Sequence, residues 1–271
     1  MITVINQEAY KLLHKKITWL APFLIVLLMI PFIMSFDDAI SAPWLVMSSF
    51  GIDEIAPLIM ILVAATFFSS EFKQRTILTM LAKTPSRKDV YLAKLTVVGL
   101  CDVAIHGLAI IMTLILNYAL PKFRLDLFKP YLYHQSLLTN VLTMTLVDIL
   151  VTMFLVSILF LISCSITENA VVLAISLGVF FMGQIVPPGI QFLPQQYLHW
   201  LRWNPLNMML LPLQYANYPV YHDMSHLSTL QLGVATAGYA IVFAVLGYQI
   251  FRGGITKKAV PWLNNTFEFG P

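Results

Sequence analysis

Long apolar runs dominate this chain and decide its solvent. The first, ITWLAPFLIVLLMIPFIMSF at 17–36, holds twenty residues without a charge. About 20 helical residues cross a ~30 Å hydrocarbon core. Comparable runs follow at 55–70, 93–119, 138–163, 170–187 and 229–251. Inside a bilayer every backbone polar group must be paired internally, which leaves helices or a closed barrel. The runs are continuous rather than alternating with period two, so the sequence predicts helices. Only 11% of the residues are charged, against about a quarter in a soluble domain, which leaves little material for a solvated domain. Lys11, Lys15 and Lys16 precede the first run, as in a signal peptide. That run is longer than the ~7–15 residues of a signal core, so it reads as a retained span. The expected fold is an all-α membrane protein, one transmembrane domain over 1–271 with six transmembrane helices. The second run is short, and its start is placed at 55 or earlier, near Trp44.

Basic residues give the orientation. Twelve of the sixteen Lys and Arg lie in three places: 11–16, 73–94 and 252–258. Six spans put all three on one face, which the positive-inside rule makes cytoplasmic. Both termini are then expected to be cytoplasmic, and the acidic first loop (Asp37, Asp38, Asp53, Glu54) outside. Lys122, Arg124 and Lys129 make the 120–136 loop a mild exception. The stretch 188–228 is expected outside. It is too apolar for a solvated loop and too broken by Pro194, Pro205, Pro212 and Pro219 for a span. Its Trp and Tyr residues fit short re-entrant or interfacial helices. Gln184, Pro187, Pro188 and Gly189 are expected to end the fifth span in a bend.

The segment EFKQRTILTMLAKTPSRKDVYLAK at 71–94 interrupts the apolar pattern. Ile77, Leu78, Met80 and Leu81 fall on one face of a short helix. Pro85 stops that helix, and Ser86 with Asp89 has the form of a capping box that opens the next one. An amphipathic helix with a basic flank can anchor on anionic lipid or fill a groove on a cytoplasmic partner.

The second alternative meets a resemblance. The 71–94 segment resembles the coupling region of permease subunits in type-2 ABC exporters. The matches are Glu71, Thr76, Leu81, Pro85, Ser86, Arg87 and Lys94; Arg75 departs from the glycine usual before the Thr. The six-span layout and the broken segment before the last span are similar too, so the resemblance covers nearly the whole chain. It implies that these residues dock a separate cytoplasmic P-loop ATPase, which would bind ATP and Mg. This chain carries no G-x-x-x-x-G-K-[ST] phosphate loop of its own. The resemblance further implies a non-catalytic permease without a cofactor. Its second half would come from a second copy or from a paired second permease, in the cytoplasmic membrane of a bacterium. Antimicrobial-peptide resistance is among the roles the family suggests, and an amphipathic drug, peptide or lipid-like molecule suits the apolar spans. Membrane lipid is the remaining expected partner; nothing points to nucleic acid.

Three buried polar groups support a rival. Asp102 and His106 lie four apart in the third run, and Asp148 sits mid-way along the fourth. A charge at the bilayer centre costs ~2.5–3.5 kcal/mol on insertion scales, so these groups face protein or water. They read either as interhelical hydrogen-bonding residues, helped by Gly99 and Gly107, or as a substrate path or proton relay. The relay would make the protein a proton-coupled secondary transporter. His222, Asp223 and His226 form H-D-x-x-H, a weak echo of zinc-hydrolase spacing with no third ligand in sight. Cys101 and Cys164 both fall inside apolar runs and read as small buried hydrophobes.

Overall fold

The structure, a computed structural model, describes residues 1–34, 41–73, 86–166, 168–190, 192 and 195–259. Among them six helices are long and apolar enough to cross a membrane: Lys16–Met34, Ala42–Phe68, Arg87–Ala119, Leu137–Ser165, Asn169–Ile190 and Thr229–Gly253. The fold is therefore the expected all-helical membrane bundle.

A helix that the hydropathy pattern does not announce comes first. Helix α1 (Ile2–Leu13) precedes the first span, α2 (Lys16–Met34). Val4, Ile5, Ala9 and Leu12 recur on one stripe of α1 and pack on the core. A tight elbow joins the two helices: Thr18 Oγ1 donates to the Leu12 carbonyl and Trp19 Nε1 to that of Leu13, at 2.6 and 2.7 Å.

The second span is two pieces, which resolves its uncertain start. Helix α3 (Ala42–Met47) begins beside Trp44, and α4 (Ile52–Lys73) continues it after a turn. That turn holds Ser49, Phe50 and Gly51 at φ of 48°, 54° and 82°. Gly51 fits because a Cβ there would lie 2.5 Å from the Phe32 ring. Asp53 and Glu54 thus stand in the first turn of α4 rather than in an open loop, where the helix dipole favours negative charge.

Ser86 opens α5 (Arg87–Ala119) as expected, its side chain accepting from the Asp89 amide at 3.4 Å. Two 3-10 turns, Pro121–Phe123 and Leu132–His134, lead to α6 (Leu137–Ser165). This helix is apolar all round and forms the centre of the bundle. Helix α7 (Asn169–Ile190) carries Pro187 and Pro188 in its last turn, so it ends three residues beyond the expected limit. Four short pieces fill the stretch before the last span: α8 (Gln195–Leu201), a 3-10 segment (Pro205–Leu210), α9 (Leu211–Ala216) and α10 (Tyr218–Ser225). Met208, Leu210, Leu211 and Pro212 are buried, so this region folds back on the bundle, as its apolar composition requires. Helix α11 (Thr229–Ala259) completes the chain and packs along α6.

Aromatic rings tie one end of the bundle together. Tyr91 of α5, Phe160 of α6 and Phe251 of α11 meet, with ring centroids 5.9 Å (Tyr91–Phe160) and 5.6 Å (Tyr91–Phe251) apart. Phe68 of α4 joins them, 4.6 Å from Phe160. The α5–α6–α11 approach is close because Gly247 has no side chain. A Cβ there would lie 2.6 Å from Tyr91 Oη and 3.4 Å from the Leu161 backbone.

Candidate functional site: two buried polar clusters

The expected coupling residues divide between what is described and what is not. Thr76, Leu81 and Pro85, with the amphipathic turn around them, lie outside the described residues. Glu71 falls in the last turn of α4, and nothing further is described of its side chain. Ser86, Arg87 and Lys94 are described, and all three sit in built positions. Ser86 caps α5. Arg87 Nη1 donates to the Arg252 carbonyl at 2.8 Å, fastening the start of α5 to the end of α11.

Lys94 reveals a residue that the sequence reading passed over. Its ammonium donates to Glu8 Oε2 at 2.6 Å, and the side chains are 1% and 0% exposed. The other Glu8 oxygen accepts from Lys11 Nζ, also at 2.6 Å. Lys94 Nζ further stands 4.5 Å from the centre of the Phe67 ring, a cation–π distance. Lys15 Nζ donates to the Thr66 carbonyl at 2.8 Å. One carboxylate on α1 is thus shared by two cations, and α1 with the elbow after it ties the end of α4 to the start of α5. These are the two helices that flank the 71–94 segment. Removing one partner of a buried ion pair costs about 3–5 kcal/mol, because the other charge stays behind without compensation. A signal for Glu8 was present in the sequence: it falls on the Val4–Ile5–Ala9–Leu12 stripe, where a solvated acid would not stand.

The second cluster lies in the bundle interior. Asp102, His106 and Asp148 are 0%, 1% and 2% exposed, so the structure puts all three inside the protein and none toward lipid. His106 Nδ1 is 3.0 Å from the Asp102 carbonyl and 3.2 Å from its Oδ1. That pairing lies along one helix. Gly107 faces open space, with no described neighbour from another element within 4 Å of where its Cβ would be; Gly99 meets the end of the Met153 side chain. Beyond the Asp102–His106 contact, the carboxylate oxygens of Asp102 and Asp148 and the Nε2 of His106 have no hydrogen-bond partner among the described residues.

Asp53 and Glu54 join this cluster from the α4 side. Asp148 lies within electrostatic reach of Asp53, Asp102 and Glu54, and Asp53 within reach of His106. Glu54 is held by Gln184 of α7, whose amide nitrogen is 3.3 and 3.2 Å from its two oxygens. Asp53, Glu54 and Gln184 line a cavity of about 20 Å³ closed by Phe180, Met209 and Pro212. That is room for about one water. Tyr221 of α10 overlooks it: burial first, then the Glu54 and Asp53 charges, push its phenol above the usual range. Four acids and one histidine from three helices therefore converge under the short helices that precede α11.

The H-D-x-x-H stretch builds no comparable site. Helix α10 ends at Ser225, and His226 takes a left-handed conformation (φ 53°). His222 and His226 therefore do not share a helix face, and among the described residues no group of three ligating side chains is assembled. Cys101 and Cys164 are free thiols.

A search of curated proteins returned no match. A family model does match: that of the ABC-2 family transporter protein, over residues 4–186, from α1 to the last turn of α7. Members are the membrane component of ABC transporters and work with an ABC ATPase. The match takes in the Glu8–Lys94 brace, the 71–94 segment and the buried acids alike, and with the six spans it establishes that this chain belongs to the ABC-2 family of transporter membrane proteins.

Proposed function

We propose that this chain is the permease subunit of an ATP-driven exporter and that its basic end is the platform for the ATPase. The observation that carries this reading is the convergence there. Residues of α1, α4, α5 and α11 are fastened to one another by Glu8, Lys94, Lys15 and Arg87. Two of these helices enter and leave the 71–94 segment. A push on that segment would be passed to α4 and α5 as one body, since α1 and the elbow that follows it hold both.

In this reading the basic end faces the cytoplasm of a bacterial cell, and the ATPase carries the nucleotide and its magnesium. Two copies of the chain would enclose the path. The exposed faces of α2 and α11, each only 17% buried over its span, are available to lipid or to the second copy. The cargo would be an amphipathic molecule, a drug, peptide or lipid-like compound, passing near the acid cluster. Rocking of α4 and α5 would open the narrow cavity at Asp53 and Glu54 and admit water to Asp102 and Asp148.

The test is a detergent pull-down of the tagged chain from its native cells. An ABC ATPase recovered in about equal amount, and lost from the Leu81→Ala/Arg87→Glu variant, supports the platform. A chain recovered alone, with transport that survives ATP depletion and stops when the pH gradient collapses, overturns it in favour of a proton-driven carrier.

A further inference from the structure

A groove of about 350 Å³ lies between the α1–α2 elbow and α5. Leu12, Trp19 and Pro22 form one wall, and Leu100, Ala104 and Leu108 the other. Its one polar side chain, Thr18, already bonds the Leu12 carbonyl. The lining on α5 runs from Val97 to Leu108, about 16 Å at 1.5 Å per residue. That is about half of a ~30 Å hydrocarbon core, the depth of one leaflet. A slot of that length with so apolar a lining can take one acyl chain.

Its mouth has the chemistry of a lipid headgroup site. The groove starts one turn beyond Lys94, at the basic end. Lys16 and His14 are exposed at the elbow above it, and Lys16 has no partner among the described residues. Tyr10 and Trp19 flank them, 64% and 66% exposed, and such rings prefer the headgroup level. Apolar slot, interfacial aromatics and a cation above them define a single ligand class.

We propose that this groove binds an anionic phospholipid of the surrounding leaflet, one acyl chain lying between α2 and α5 and the headgroup at Lys16. The site does not depend on which ATPase docks or on what is exported. Its consequence does bear on coupling: a bound chain fills the space behind the Glu8–Lys94 brace and stiffens the hold of α1 on α5.

The experiment uses the full chain with Trp19 as the one remaining tryptophan, the other four replaced by Phe. It is reconstituted into phosphatidylcholine vesicles that contain increasing brominated phosphatidylglycerol or, separately, brominated phosphatidylcholine. The expected result is quenching of Trp19 at a several-fold lower fraction of the anionic lipid. Lys16→Gln is expected to remove about five-fold of that preference, the contribution of one lysine at an anionic surface. Ala104→Phe, which fills the groove, is expected to merge the two curves. Lys16 is on the surface, so its variant reports even if the filled groove misfolds. Identical curves for the two lipids in the starting protein overturn the proposal. So does selectivity that survives Ala104→Phe, or the absence of quenching by either lipid, which would mean that protein covers the groove.

Discussion

At the basic end Glu8 is bonded to two ammonium groups at 2.6 Å each, whereas in the interior Asp148 finds no hydrogen-bond donor among the described residues and Asp102 meets His106 of its own helix at 3.2 Å. Both clusters are buried, and both sit in a membrane protein where an isolated charge is costly. The difference lies in what each can be for. A paired cluster is at its minimum in this conformation and resists change, which suits a joint. A sparsely paired one gains from any conformation that brings water or a polar group to it, which suits a path that opens.

The largest effect is expected at the joint. Glu8→Leu takes from Lys94 the buried carboxylate it bonds and should cost about 3–5 kcal/mol, read as a drop in thermal midpoint in detergent. Pairing it with Lys94→Met should restore most of that stability, because well-packed apolar side chains often replace a buried pair at no cost. Transport should stay impaired in the double variant if the brace transmits force. A double variant as unstable as the single one would mean that the pair is not an isolated couple.

Asp148→Asn tests the other cluster with the opposite sign. Replacing a buried carboxyl that has no donor among the described residues should leave the thermal midpoint unchanged or raise it, while transport falls. Full transport by a stable Asp148→Asn protein would reduce the acid to a packing residue.

Two glycines sharpen the contrast with smaller steps. Gly247→Ala meets the Tyr91 hydroxyl, itself donating to the Ala244 carbonyl at 2.9 Å, and the fixed Leu161 backbone. Gly183→Ala, beside the acid cavity, meets only the flexible Met209 side chain. Overpacking costs about 1–3 kcal/mol, and Gly247→Ala should lose the more stability in parallel melts. Last comes Ser86→Ala, which removes the α5 cap and should cost about 1 kcal/mol, a small shift in the same melt with the ATPase still bound.

Spans, the capped restart at Ser86 and the broken helices before α11 were legible in the sequence because each rests on local chemistry: run length, a hydroxyl three residues before an acid, prolines among apolar residues. Glu8 was not, because its partner is 86 residues away and the eye takes an acid near a terminus as solvated. Asp53 and Glu54 were read as part of the acidic first loop; their partly buried place beside the other acids depends on Gln184 and Tyr221, which arrive from other helices. Asp102 and His106 were correctly judged unable to face lipid, since that follows from charge alone. Their pairing along one helix, rather than between helices, required the positions of neighbours.

The length of chain between Glu8 and Lys94 also sets an order of events during synthesis. Helix α1 leaves the ribosome before any partner for its carboxylate exists beyond Lys11. The 86 residues that follow Glu8 up to Lys94 take about 4–17 s to make at ~5–20 residues per second. Through that interval the Glu8 carboxylate has no Lys94 to meet, and the clasp closes only once the third span is being laid down. Helix α1 is thus locked after two spans have been made and before the last three, so the insertion machinery has to leave it untethered until α5 arrives.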